Sequence, residues 1–586
     1  MFRGILAVSL LCLGASATAD DLRSPEAIGR VGLPYDWTHR HVVFARPQTF
    51  GRLREIQSDP RYWHQVYRTL VAIHPAPPRQ LPEPPTDADF KPDWGMSLGT
   101  TALNFTNLET YPAKYSFDVS NPTPSCTNDY VVFTLPASAS TAINVIGFNN
   151  LYVNNAGTGL CAGTVPTVMF AYNASQNNGP LNSSPVLYPK DGTQIAFIED
   201  ASTGAQFHVL KWKSGNVSAM FGSPFNSSAL ANCATNGGVA PCEYSVTYSS
   251  TTATLSAPYV DYSSDTAYVT DDTGHVSAIT PVFGGGTPAV KAGYPVAVAG
   301  STNMTPPVYD TVSKNVFVAD KKGNLYYVRT ATASPGTCPS GSPPCLGATT
   351  LNVANGKQVY EAPILDSTNQ TVFVFSNSAP TGLNSSVVQA NTTLGNSRVA
   401  TIGANTTQNV YAGTFNNAYF SNPGSGLLYA CGGGAAGPTS NTPQLYAISF
   451  TGATMNAGAA AHGPLALATG MASCSPITEV FNLAGSGNTD LLYAGVGNLC
   501  SMTITGGCVQ SFNITSGFPS AYTHIVAETG GTTGFVVDNV ANGSSSTANQ
   551  ANIYFISQGT QFCTKNTGGT NQTGNCAIKL TQTGLQ

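Results

Sequence analysis

Charge is what this chain has least of. Of 586 residues, 24 are Lys or Arg and 29 are Asp or Glu, 9% in all, against roughly 25% in an ordinary soluble domain. That shortage excludes a charge-rich disordered chain and a coiled coil laced with ion pairs. With a net charge of −5 it also excludes a nucleic-acid binder, which needs a positive surface for phosphates. Beyond the first residues no apolar run is long enough for a membrane span, which takes about 20 residues. Cys-x-x-Cys, Walker A, His-Glu-x-x-His, Gly-x-Ser-x-Gly and the EF-hand loop are all missing, so no redox pair, zinc knuckle, nucleotide cradle or serine elbow is expected. An active site gathered from distant parts of the chain stays open. What is present is 42% hydrophobic residues with 59 Gly and 39 Pro, enough for a large core and many turns.

Residues 1–19 read as a secretory signal. Arg3 supplies the positive start, Gly4 to Ala15 is a short apolar run, and Ala17-Thr18-Ala19 offers a small-x-small cleavage site. Leu11 precedes Cys12, where a lipoprotein signal has a small residue, so no lipid anchor is expected. Twelve cysteines remain, which in an exported chain favours disulfides. Close neighbours suggest Cys233 with Cys242, Cys338 with Cys345, Cys500 with Cys508 and Cys563 with Cys576. Cys126 with Cys161 and Cys431 with Cys474 would complete the set, although sequence does not fix connectivity. The expected location is secreted, periplasmic or cell-surface.

The remaining charge is segregated. Trp37 to Gln80 holds seven Arg against Glu55 and Asp59, and four of the eight His. This basic preamble, residues 20–73, should contain a helix opening at Asp59-Pro60, where Asp59 caps and Pro60 takes the first helical position. Trp63, Val66, Tyr67 and Leu70 would form its apolar stripe. Residues 74–95, rich in Pro, read as a stiff linker. The body, residues 96–586, is mildly acidic and repeats itself.

One unit runs Ala257-Pro258-Tyr259-Val260-Asp261, then Thr266 to Asp271, then Gly274 to Ile279. The next runs Pro306-Pro307-Val308-Tyr309-Asp310, then Asn315 to Asp320, then Gly323 to Val328. Aromatic anchors recur at Phe133, Phe197, Tyr268, Phe317, Phe373, Tyr429, Tyr493 and Phe555. Such spacing fits the blades of a β-propeller, sheets too thin to bury both faces alone. Tyr188 to Phe197 resembles the core of TolB-type propeller repeats. Ala267 to Ile279 is similar to the YVTN repeat, and Asp320 to Tyr326 to the repeat of pyrroloquinoline-quinone enzymes. The preamble, from Tyr35 to Phe44 and Asp59 to Trp63, resembles secreted bacterial propeller proteins. These likenesses imply a fold and no particular activity.

The expected architecture is therefore all-β: an eight-bladed propeller, with seven as the alternative, behind a short helical, Arg-rich preamble. The last blade shows three strands, near Gly534–Asn539, Asn552–Ser557 and Cys576–Thr581. Its fourth would come from Met96–Thr106 and close the ring.

Several constellations could carry chemistry. Asp118, Asp261, Asp310, Asp366 and Asp538 end repeated strands; they could form an axial ring for Ca²⁺, or each could bind the N–H groups of its own turn, the commoner role. His39 and His41 would share one side of a strand and could hold a metal, with no third ligand in sight. Arg52, Arg54, Arg61 and Arg68 could meet a partner, or the helix could lie back on the body. Gly432-x-Gly434-x-x-Gly437 matches a dinucleotide fingerprint, but the following prolines cannot open a helix, so it reads as a loop. Together these features point to a binding or scaffolding module for carbohydrate, cell-wall polymer or protein. The alternative is an extracellular hydrolase or lyase with its site at the channel mouth.

Overall fold

The structure is a computed structural model. It describes residues 33–46, 49–70 and 90–99, and from 109 to 582 all but 118–123, 138–142, 158, 216–229, 301, 405–406, 435–440, 483–488, 539–550 and 564–571. The signal segment, most of the linker and Asp118 lie outside the described residues.

Eight sheets of four to six strands follow one another along the chain, among the described residues. Their first strands face one another around an axis, so Ala113–Ser116 touches Val186–Leu187 on one side and Val536–Asp538 on the other. The chain is a β-propeller. Each aromatic anchor lies on the second strand of its own sheet, and all eight are buried. That strand is flanked on both edges and packed on both faces, which is why its pattern is the clearest in the sequence.

The axial strands are only two to five residues long, and a second device extends them. Three residues before the axial strand, Ser183, Ser256, Thr305, Ser475 and Thr533 each accept a hydrogen bond from a backbone N–H of the second strand, at 2.8–3.1 Å. A side-chain oxygen thus continues the ladder where the backbone has turned away. The same position is Thr110 in the first sheet, Glu361 in the fifth and Tyr411 in the sixth. Glu361 is the acidic member of the series.

In the third and fourth sheets the turn between the second and third strands is Asp-x-x-Gly. Asp271 Oδ1 accepts from the N–H of Thr273 and His275, and Asp320 Oδ1 from those of Lys322 and Asn324. Gly274 and Gly323 have φ of +87° and +81°, and a Cβ on either would strike a neighbouring backbone oxygen.

The ring is closed by joining the chain ends. Phe90–Ser97 pairs antiparallel with Cys576–Gln582 as the outer strand of the last sheet. The expected closing strand, Met96–Thr106, therefore lies earlier, and the linker gives up its last six residues. Pro92 hid this strand. It lies on an outer edge beside a register shift between Pro92 and Trp94, where a missing N–H is tolerated. Trp94 and Met96 are fully buried.

The twelve cysteines after residue 19 are paired as the spacing suggested, with Cα–Cα distances of 5.0–6.6 Å. Among the described residues no helix is long and apolar enough to cross a membrane.

Candidate functional site: the stoppered axis

The preamble does more than lie against the body. Leu33–Tyr35 adds antiparallel to the axial strand of the first sheet, and Val42–Val43 adds parallel to the axial strand of the fifth. Between them the helical turn Thr38–His41 crosses the axis. Three sheets lie between the two attachment points on either side, so the segment spans the ring like a bar. Its side chains reach the surrounding sheets. Trp37 Nε1 donates to Pro258 O at 3.2 Å, and Arg40 donates to Tyr111 Oη, Gly413 O and Ile477 O.

The charges of the bar are buried with partners. His41 Nδ1 donates to Trp37 O at 2.9 Å, and its Nε2 lies 3.1 Å from Glu361. Glu361 also accepts from Tyr111 Oη and from Ala412 N–H. Burial alone would raise its pKa, but His41, Arg40 and Tyr111 together hold it below the ordinary value. Glu109, close by, has no such help. Burial, reinforced by the charge of Glu361, pushes it up to about 8.

The helix expected at Asp59-Pro60 spans Pro60–Leu70, and Asp59 Oδ1 accepts from Arg61 N–H. Tyr62 and Trp63 join the core. Gln65 clamps the bar by accepting from Phe44 N–H and donating to Val42 O. Arg61 is buried. It donates to Val260 O, Thr38 Oγ1 and Asp59, and lies over the rings of Tyr259 and Tyr262. It serves the interior and cannot greet a partner. Arg52, paired with Glu55 at 3.2 Å, and Arg54 are on the outer helix Phe50–Ile56 and reach solvent. The side chain of Arg68 lies outside the described residues.

His39 and His41 do not share a side. They occupy a helical turn, where His39 meets Asp36 at 3.2 Å and His41 meets Glu361. The strand-end aspartates also stay apart. Asp261 accepts from Ser263 and Ser264 of its turn. Asp310 and Asp366 accept from their own turns and from the next sheet, through Ser367 and Gln370 for Asp310 and Tyr419 for Asp366. Asp538 faces the ammonium of Lys114 at 2.7 Å. The oxygens a Ca²⁺ ion would need are thus engaged, and among the described residues no three acidic, His or Cys side chains gather as a metal site.

A cleft remains beside the bar, where it faces the axial strands of the sixth, seventh and eighth sheets. It encloses about 630 Å³, counting its open mouth. Tyr35, Phe415, Phe420 and Phe481 supply its rings, and His39, Arg40, His64, Thr478 and Glu479 its polar groups. Tyr35, His39 and His64 stack or tilt against one another at 4.8–5.2 Å between ring centres. Two of the polar groups are buried without a hydrogen-bond partner: Arg40 Nε and Thr478 Oγ1. A second cavity, about 850 Å³ on the rim of the last two sheets, offers little chemistry, since its Glu528 and Gln561 bond each other at 2.7 Å.

The bar and its cleft escaped the sequence reading, which placed any axial site among the repeats. One signal was there: Glu361 stands where six other sheets carry Ser or Thr.

No family model matches the chain, and no curated protein does. Solved structures that resemble it include BamB from Moraxella catarrhalis, 12% identical over 77% of this chain and 95% of that one, with a TM-score of 0.37. Sqt1 from Chaetomium thermophilum is 9% identical over 80% and 98%, with a TM-score of 0.45. A putative 6-phosphogluconolactonase from Bacteroides fragilis is 11% identical over 69% and 96%, with a TM-score of 0.35.

Proposed function

We propose that this β-propeller is an exported binding or scaffolding module, with a glycan or cell-wall polymer as its ligand. The carrying observation is the stoppered axis. The chain's own bar fills the passage and leaves one cleft at its side, walled by aromatic rings and edged by donors and acceptors of both kinds. Aromatic walls with a few placed polar groups are how proteins hold small apolar-faced ligands. Export is supported by the signal-like start and by six disulfides, which persist in oxidising compartments.

A hydrolase or lyase is the second reading, and one observation favours it. His39, buried against Asp36, lines the same cleft as Glu479, and a histidine and a carboxylate on one cleft are groups that move protons. A polysaccharide array read for binding, with reducing-sugar release followed in parallel, separates the two. Retention of a polymer without release supports the module. Release with turnover replaces it with the enzyme, and capture of proteins in place of any glycan moves the ligand class.

A further inference from the structure

The cleft can be read more finely, in an inference that rests on the module proposed above. Arg40 lines the cleft and is only 8% exposed, yet its Nε has no partner; Thr478 is 1% exposed and its hydroxyl has none. Leaving such groups buried and unmade costs about 1–3 kcal/mol each, and more for a charged group. Two of them on one cleft mark a place where something else completes the hydrogen bonds.

The chemistry of the missing partner is constrained. The Nη atoms of Arg40 are engaged by Tyr111 Oη, Gly413 O and Ile477 O, and Tyr111 passes the interaction on to Glu361. Of the five N–H groups of Arg40, the Nε–H and one on Nη1 are left; they are not neighbours on the guanidinium, so the two-pronged grip that suits a carboxylate or phosphate is absent. Glu479, also on the cleft, opposes an anion further. A hydroxyl group suits both sides, because it accepts from Arg40 Nε and donates to a carboxylate. Thr478 Oγ1 can do either. The rings of Phe415, Phe420 and Phe481 provide flat apolar surface for the C–H face of a ring bearing such hydroxyls.

We infer that the cleft between the axial bar and the sixth to eighth sheets is a subsite for one neutral sugar unit, held by Arg40 Nε and Thr478 Oγ1 against the Phe481 wall. The sugar is the end of a chain and not its middle, since the bar closes the passage beyond.

The test is titration of the full chain with methyl glucoside, methyl mannoside and N-acetylglucosamine, followed by saturation-transfer NMR and by melting temperature. At least one sugar should saturate and raise the melting temperature. Thr478→Val, which keeps the shape and removes the hydroxyl, should weaken it by about tenfold. Phe481→Leu should weaken it too, while both variants keep the parent's circular dichroism. Equal binding by Thr478→Val overturns the subsite, as does saturation by glycine or acetate in place of any sugar. If a polymer still binds on the array while no small sugar saturates, the subsite falls and the module stands. If neither binds, both fall.

Discussion

Lys114 and Asp538 meet at 2.7 Å, each almost wholly buried, where the first sheet touches the last. Around them lie Asp129, Tyr152, Asp93 and Lys579. Tyr152 Oη lies 2.9 Å from Asp129 and 3.1 Å from Asp538, sharing its one proton between them, and Lys579 pairs with Asp93 of the closing strand at 2.8 Å. The ring is therefore sealed by charge as well as by strand pairing. Removing one partner of a buried pair strands the other charge, which costs about 3–5 kcal/mol. Asp538→Asn should lower the melting temperature sharply. The double variant Asp538→Leu with Lys114→Met should recover much of the loss. A single variant that melts like the parent would show that the seam does not depend on this pair.

Arg61 supports a second prediction, because it ties the bar to the third sheet. Its guanidinium is stacked 4.4 Å from the Tyr259 ring centre and 4.8 Å from that of Tyr262, while bonding Asp59, Thr38 and Val260. A planar fork can stack and bond at once, and an ammonium cannot. Arg61→Lys should therefore fail to restore what Arg61→Ala removes. Both should loosen the bar, seen as faster amide exchange at Val42 and Val43, with little change at the seam. Full rescue by Lys would make the charge alone sufficient.

How much of this was legible beforehand follows from range. The aromatic anchors could be read because a second strand is built by residues adjacent in sequence, under the same constraints eight times over. The aspartate-led turns were legible for the same reason; Asp261, Asp310 and Asp366 bind their own turns as Asx chemistry requires. The bar was not. Leu33–Tyr35 and Val42–Val43 are three and two residues long, too short for any period to show. Their partners stand 80 and more than 300 residues away. Charge left both surface and interior open; Arg40, His41 and Arg61 are inside because Tyr111, Glu361 and Asp59 meet them there.

Disulfides should differ in worth by the loops they close. Cys431–Cys474 spans 43 residues and links the sixth sheet to the approach of the seventh, whereas Cys338–Cys345 spans 7 within the fourth. In the chain-entropy model these close at about 4 and about 2.5 kcal/mol. Replacing both cysteines of the long pair with Ala should thus lower the urea midpoint more than replacing both of the short one. The reverse order would mean that native-state packing, and not chain entropy, governs these bonds.

His208 carries the pH dependence. It lies buried in the second sheet between two acids, with Nδ1 2.8 Å from Glu243 and Nε2 3.1 Å from Glu199. Burial alone would lower its pKa; the charges and hydrogen bonds of Glu243 and Glu199 outweigh that and raise it to about 9. The folded value lies above the unfolded one, near 6.5. Its contribution is therefore fully present below pH 6.5 and is lost as pH rises through 9, a change of roughly 3 kcal/mol at most. Glu109 and Glu528, both raised to about 8 by burial, act in the same direction from about pH 4.5 to 8, since the folded state keeps protons that the unfolded chain releases. The melting temperature should fall steadily from pH 6 to 10. In His208→Gln it should start lower and fall less between pH 6.5 and 9.5, so that the two curves converge. Parallel curves across that window would mean that His208 carries no proton between its two carboxylates.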